Sequence, residues 1–236
     1  MKNMKIGKSG DSKLNYHGNV FISGLTASGK TTHSYILAGT YGLTYVSGSQ
    51  IHLMNNGMSP IQVRKFWVTD EGKRLLTENQ IEDVDKELLR IEKNNTGCIF
   101  DTWIMPWIKS SDGISIYIMS SLESRTIKAA VSRRENDFII DESYKNEIRY
   151  KDRISINLHK KYYGIDIEND LSVFDVIIDI SEFIKTPTFE SSQSSIEKAN
   201  SIIIAVVGYY FTGKKSYRME LEKHANEKYM LRNILL

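Results

Sequence analysis

The stretch from residue 24 to residue 31 constrains the fold of this chain more than any other part of the sequence. It reads Gly-Leu-Thr-Ala-Ser-Gly-Lys-Thr and follows an apolar run, Val20-Phe21-Ile22, that predicts a buried strand. Residues 30–41 then have the spacing of a helix that stops at Gly42. A glycine-rich turn between a strand and a helix points backbone N–H groups at a phosphate, and the helix adds its positive dipole end. We therefore predict a phosphate-binding loop.

Each residue type in this loop has a physical reason. Gly24 and Gly29 let the backbone wrap tightly, Lys30 reaches the β- and γ-phosphates, and the Thr31 hydroxyl is a ligand for Mg²⁺. ATP and Mg²⁺ are therefore the expected cofactors, with Thr31 as the metal-binding residue. The predicted nucleotide-binding residues are Gly24, Ala27, Ser28, Gly29, Lys30, Thr31, Thr32 and Arg125.

Beyond the loop, short apolar runs alternate with longer amphipathic stretches. Strands are predicted at residues 19–23, 44–47, 97–100, 114–119 and 173–180, and helices at 30–41, 78–93, 122–134, 144–163 and 194–210. This alternation predicts βαβ units and an α/β fold with a parallel sheet. We expect an N-terminal arm at 1–18, one domain at 19–212, and a charged C-terminal tail at 213–236. Residues 186–195, rich in Ser, Thr and Pro, are interpreted as a linker.

Composition narrows the class of protein. The formal net charge is only +2, which gives no general field for binding nucleic acid. The chain has one cysteine, Cys98, and its N-terminal stretch lacks the apolar centre of a signal peptide. Its longest apolar run, residues 202–211, is too short to span a bilayer. We expect a cytoplasmic monomer or homodimer that acts on a small molecule, without nucleic-acid or membrane partners.

A second glycine-rich stretch, residues 208–215, repeats the spacing of the first. It reads Gly-Tyr-Tyr-Phe-Thr-Gly-Lys-Lys, so Lys215 stands where a metal-binding hydroxyl is needed. Only 21 residues follow Lys215 in the sequence, too few for another strand–helix–strand unit. The stretch is therefore predicted to be an apolar helix that ends at Gly213.

GTPases also have such a loop, but this sequence lacks the Asn-Lys-x-Asp with which they read guanine. It resembles the cytidylate kinase-like, archaeal-type branch of the nucleoside monophosphate kinases over residues 19–185. The resemblance rests on residues 21–32, 42–47 and 116–134, and most specifically on the Tyr-Gly-Ile-Asp of 163–166 with 171–179 after it. It implies the P-loop kinase fold, with a five-stranded parallel sheet and helices on both faces. It also implies an insert for the phosphoryl acceptor at about 48–77 and a helical lid at about 133–155.

The chain departs from this family where relatives grip the acceptor phosphate with arginines. Leu53 and Trp103 occupy two such positions, and Leu158-His159 replaces an Arg-Tyr pair near the lid. A buried phosphate without bidentate cations is costly, which argues against ordinary CMP as the acceptor. Another cation such as Arg64 would have to compensate. The predicted acceptor-binding residues are Ser47, Gln50, His52, Arg64 and Trp103.

The predicted catalytic residues are Lys30, Asp101, Arg133 and Arg134, with Arg149 and Arg153 as further candidates for lid cations. Asp101 ends an apolar strand, where a carboxylate orients Mg²⁺ water or the acceptor hydroxyl, although a helix N-cap is the alternative. Cations near the lid would stabilise charge on the transferred phosphoryl group.

Three functions remain open from the sequence. The first is ATP-dependent phosphoryl transfer to a cytidylate-like nucleotide, either plain or modified. The second is a kinase of an unphosphorylated nucleoside or alcohol, and the third is a non-catalytic nucleotide-binding regulator.

Overall fold

The fold is a parallel α/β sheet, seen here in a computed structural model that describes residues 18–60, 78–133, 140 and 142–224. Its five strands lie in the order β2-β3-β1-β4-β5, and every pairing is parallel. The strands are β1 (Asn19–Ser23), β2 (Thr44–Ser47), β3 (Cys98–Asp101), β4 (Gly113–Met119) and β5 (Val176–Asp179). The predicted fold class is confirmed.

Eight helices lie in the described residues. In chain order they are α1 (Lys30–Tyr41), α2 (Gly48–Asn55), α3 (Glu78–Asn94), α4 (Met105–Ile108), α5 (Leu122–Arg133), α6 (Glu142–Tyr163), α7 (Phe189–Thr212) and α8 (Lys215–His224). The described residues contain no helix that is long and apolar enough to span a membrane.

The core fills both faces of the sheet, because successive strand side chains point in opposite directions. On one face, residues such as Val20 and Ile22 pack with α1, α7 and Leu221 of α8. On the other face, Phe21 and Phe100 pack with α3 and α4. All five residues of β1 are buried, since β3 and β4 flank it.

The carboxyl ends of the central strands meet at one edge of the sheet. Ile22 of β1 is in register with Asp101 of β3, and Ser23 pairs with Tyr117 of β4. The segments that follow β1 and β3 therefore lie side by side, at the edge where ligands bind in open α/β sheets.

One predicted segment is wrong. The proposed linker at 186–195 is interrupted because α7 begins at Phe189, with Thr188 as its N-cap. The Thr188 hydroxyl accepts a hydrogen bond from the backbone N–H of Ser191 at 3.1 Å. The Ser and Thr residues that resembled a linker thus start a helix, a role for which they are well suited.

Other elements also differ from the prediction. Strand β5 is shorter than 173–180, because Val173 and Phe174 lie outside it and pack beside Tyr117. Helix α2 was not predicted, and α8 occupies part of the expected tail. Gly208 brings α7 and α8 together, since an added Cβ there would lie 2.5 Å from the Tyr217 ring.

The second glycine-rich stretch is the end of a helix, as predicted. Helix α7 runs through residues 202–212 and ends at Gly213, whose φ of 61° is left-handed. The Gly213 N–H donates to the Tyr209 carbonyl. This is a helix terminus and not a loop that wraps a phosphate.

Candidate active site

The loop between β1 and α1 has the backbone that its glycines predicted. Gly24 and Gly29 have φ values of +150° and +108°, and Ala27 is a non-glycine residue at φ 61°. A Cβ on Gly24 would lie 2.5 Å from the Ile118 carbonyl oxygen, so only glycine fits there. Within the described chain, the buried Ser28 hydroxyl has no hydrogen-bond partner. The loop therefore keeps an unused polar group beside its N–H donors, which fits a phosphate ligand.

Lys30, the first residue of α1, folds back over this loop. Its Nζ donates to the carbonyls of Gly24 at 2.6 Å and Leu25 at 3.0 Å. The same ammonium lies 5.1 Å from the centre of the Trp103 ring. Burial lowers the pKa of Lys30, while the carboxylates of Asp101 and Asp152 oppose that shift.

Thr31 and Asp101 meet above the ends of β1 and β3. The Thr31 hydroxyl donates to Asp101 Oδ2 at 2.7 Å, and the Tyr45 hydroxyl donates to the same oxygen at 2.9 Å. Asp101 is 6% exposed, yet it does not cap the helix after it. Hydroxyl and carboxylate oxygens are the donors that Mg²⁺ prefers. The pair therefore suits a small divalent cation beside the loop.

Helix α6, which overlaps the predicted lid, is hydrogen-bonded directly to the loop. Asp152 Oδ1 accepts from the Thr26 backbone N–H at 2.9 Å, and Asp152 Oδ2 pairs with Arg125 at 2.5 Å. Arg125 also donates to the Thr26 carbonyl at 3.0 Å. Both members of the ion pair are buried, so removal of either would leave an uncompensated charge.

Two lysines bring further positive charge to the loop. Lys128 of α5 donates to the Ser28 carbonyl at 3.3 Å and to Ser120 at 2.9 Å. Partial burial and the Arg125 guanidinium lower its pKa to about 7. Burial and the charge on Lys30 lower the pKa of Lys151 in α6 to about 8. An anion at the loop would reverse both shifts, because it stabilises the ammonium form.

Three of the predicted acceptor residues lie at the start of α2 or within it. The Ser47 hydroxyl accepts from the Gln50 N–H at 3.4 Å as the N-cap of α2, and Gln50 Nε2 donates to the Tyr35 hydroxyl at 2.9 Å. His52 is buried, and burial followed by the charge of Lys151 lowers its pKa. Leu53 is wholly buried in the core, so its side chain is unable to touch a ligand.

Trp103 begins a row of aromatic rings along α6. Its ring is 6.4 Å from that of His159 at an interplanar angle of 19°, and His159 is 6.3 Å from Tyr163 at 23°. The Tyr163 hydroxyl donates to Asp85 of α3 at 2.8 Å. Burial raises the pKa of Asp85 to about 7. The row therefore connects Trp103, beside Lys30, to a weakly acidic carboxyl group of α3.

Several predicted residues stay outside this geometry. Arg64 and Arg134 lie outside the described residues, as does the side chain of Arg133. Arg149 pairs with Glu142 at 3.5 Å on the surface, and Arg153 is exposed. The described residues therefore bring together the loop, Asp101, Arg125, Gln50, His52 and Trp103. The lid arginines and Arg64 stay predictions.

Sequence reasoning missed the contributions of Tyr45, Lys128, Lys151 and Asp152 to this site. Lys128 lies on a basic stretch of helix, and charge on a helix face is usually only solvated. The available signal for Asp152 was its place four residues after Ile148 and three before Ser155, on the buried face of α6. An acid on such a face requires a partner.

Comparison with known proteins shows which enzymes the chain is similar to. No known protein-family profile matches the chain. A cytidylate kinase of Methanosarcina mazei is 28% identical over 183 residues, which cover 75% of this chain and 96% of the relative. A cytidylate kinase of Pyrobaculum aerophilum is 29% identical, over 69% of this chain and 83% of its own length. The chain is a P-loop kinase similar to the archaeal cytidylate kinases.

Two further comparisons describe the extent of this similarity. The kinase is 25% identical to a cytidylate kinase of Saccharolobus islandicus over 214 residues, which cover 89% of the kinase and 99% of the relative. A crystal structure of an uncharacterized protein from Eubacterium ventriosum superimposes with a TM-score of 0.50 at 15% identity, over 80% of this chain and 98% of the other. The latter similarity concerns the fold alone.

Proposed function

We propose that this kinase transfers the γ-phosphoryl group of ATP to a small, cytidylate-like nucleotide, in a reaction assisted by Mg²⁺. The observation that carries the proposal is the loop at 24–31, with Lys30 above it and the bonded pair Thr31 and Asp101 beside it. The similarity to archaeal cytidylate kinases supports a nucleotide acceptor.

On the donor side, the loop N–H groups and Lys30 would hold the β- and γ-phosphates. Lys30 would exchange its bonds to the Gly24 and Leu25 carbonyls for bonds to phosphate oxygens. Thr31 and Asp101 would hold Mg²⁺, which neutralises charge on the phosphates when bound. Arg125 already holds Asp152 and the Thr26 carbonyl, so we assign it to fixing the loop.

On the acceptor side, α2 and the Trp103 row would form opposite walls. A hydroxyl or phosphate oxygen of the acceptor would attack the γ-phosphorus from the side of Asp101. Lys30 and Lys151 would stabilise the charge that spreads over the transferred group. Catalysis in this arrangement is chiefly positioning and charge stabilisation.

A screen of ADP release tests the proposal. Purified protein would be incubated with ATP and Mg²⁺ against nucleoside monophosphates, nucleosides and sugars, with an acceptor-free control for hydrolysis. We expect release that depends on a pyrimidine nucleotide or a modified form of one. ADP release that no acceptor increases would contradict the proposed transfer.

A second acceptor class is supported by one specific observation. Leu53 is wholly buried and Trp103 faces Lys30, so two positions that grip phosphate in relatives hold no cation. An unphosphorylated nucleoside or alcohol needs no such grip. If a nucleoside gives the higher kcat/KM in the screen, this second function replaces the first.

We expect nucleotide binding to take up protons in mildly alkaline solution. Lys128 and Lys151, with pKa values of about 7 and about 8, are largely neutral at pH 8.5 in the free protein. Phosphates raise both values, so binding should take up roughly one to two protons. Calorimetry of ATP binding in two buffers of different ionisation enthalpy measures this number.

The matched control is the double variant Lys128→Gln with Lys151→Gln, which should lose most of the uptake while Arg125 and Asp152 still hold the loop. A binding enthalpy at pH 8.5 that is the same in both buffers would show that these lysines are already charged in the free protein.

A further inference from the structure

The Asp101 carboxylate is held on one side only. Both of its hydrogen bonds, from Thr31 at 2.7 Å and from Tyr45 at 2.9 Å, are donated to Oδ2. Nothing in the described part of the chain donates to Oδ1. The last torsion of an aspartate side chain is broad, so a carboxylate with a single donor turns easily. Two donors from different elements fix its plane and leave the second oxygen available.

The position of Tyr45 on β2 lets its hydroxyl donate a hydrogen bond to Asp101. Strand β2 is in register with β3, with Ser47 opposite Asp101 and Tyr45 opposite Ile99, so the tyrosine lies two residues below the carboxylate on the neighbouring strand. Burial raises the pKa of Tyr45, and the negative charge of Asp101 raises it further. The phenol therefore keeps its proton and its role as a donor.

The ring of Tyr45 is also fixed. It stacks on Tyr35 of α1 with centroids 4.1 Å apart and an interplanar angle of 26°. The Tyr35 hydroxyl accepts from Gln50 in the first turn of α2. A continuous set of contacts thus runs from the helix at the acceptor side, through two tyrosines, to the carboxylate at the phosphate loop.

We propose that Tyr45 is a positioning residue, which holds Asp101 so that its Oδ1 faces the cation required for phosphoryl transfer. This inference rests on the nucleotide-binding part of the proposed function, because Asp101 needs that orientation only if a metal–nucleotide complex occupies the loop. Packing alone does not account for the hydroxyl, since a phenylalanine at 45 would stack on Tyr35 equally well.

The test compares Tyr45→Phe with Tyr41→Phe. Tyr41 provides a matched control, because its hydroxyl donates to the Ile204 carbonyl at 2.6 Å, on the α1–α7 side of the sheet. For Tyr45→Phe we expect kcat to fall about tenfold, the Mg²⁺ concentration for half-maximal rate to rise several-fold, and KM for ATP to change little. Tyr41→Phe should change none of these three quantities.

A second readout does not require turnover. Calorimetry of ATP binding with Mg²⁺ and with EDTA gives the share of affinity that depends on the metal. That share should shrink in Tyr45→Phe and stay unchanged in Tyr41→Phe. Equal metal dependence in both variants, or none in the unmodified protein, overturns the role of Tyr45. If the unmodified protein binds metal–ATP but transfers no phosphoryl group, the proposed function fails while this inference stands.

Discussion

Replacement of Lys30 by Ala should lower kcat for phosphoryl transfer by at least about 10³-fold, because its ammonium lies within hydrogen-bonding distance of two loop carbonyls. ATP affinity should fall at least about tenfold with the loss of a charge-assisted hydrogen bond. The fold should persist, since Lys30 does not belong to the hydrophobic clusters of the described core. Steady-state kinetics and calorimetry measure the two effects, and circular dichroism checks the fold.

The second glycine-rich stretch supplies the control. Lys214 follows Gly213 at the end of α7 and is exposed, so Lys214→Ala should leave both ATP affinity and kcat as they are. Unchanged ATP binding and activity in Lys30→Ala would contradict the assignment of the nucleotide site to residues 24–31.

Plain CMP should be a poor acceptor. Each lost contact between a guanidinium and a phosphate costs about 1.5–3 kcal/mol, so the two positions at Leu53 and Trp103 together should reduce CMP affinity by roughly 10²- to 10⁴-fold. Leu53 is wholly buried, and the ring of Trp103 lies against Lys30 rather than holding a positive charge of its own. Kinetics with ATP and CMP, and with cytidine for comparison, measure the effect.

Efficient phosphorylation of CMP would contradict this prediction. A kcat/KM for CMP near 10⁶ M⁻¹s⁻¹, toward the upper part of the usual range, would mean that other cations grip the phosphate. Arg64 is then the first residue to replace. Loss of CMP activity in Arg64→Ala, with ATP binding preserved, would assign it that role.

The sheet and the loop were predictable because their signals are local. Most strands contain a short apolar run, and the glycine spacing of 24–31 determines both a turn and a helix start. The start of α7 was missed because Ser and Thr residues favour linkers and helix N-caps alike. Which one forms here depends on packing of the apolar residues that follow, such as Ile202 and Ile203.

The contacts around the loop were not predictable in the same way. Thr26 and Asp152 are 126 positions apart, and Tyr45 and Asp101 are 56 apart, so no local pattern joins them. The helical spacing of residues 144–163 predicted a helix there but not which of its side chains reach the loop. Strand order and helix docking decide that, and both follow from the whole core.

The close packing of α8 on Gly208 limits how far the chain can be shortened at its C-terminal end. Leu221 is wholly buried among residues of α7 and the sheet, so this helix covers apolar surface that water would otherwise reach. A polypeptide truncated after residue 213 would expose that surface, and self-association is the usual outcome of such exposure. Expression of a shortened form should therefore retain the chain through His224, however dispensable its charged sequence looks.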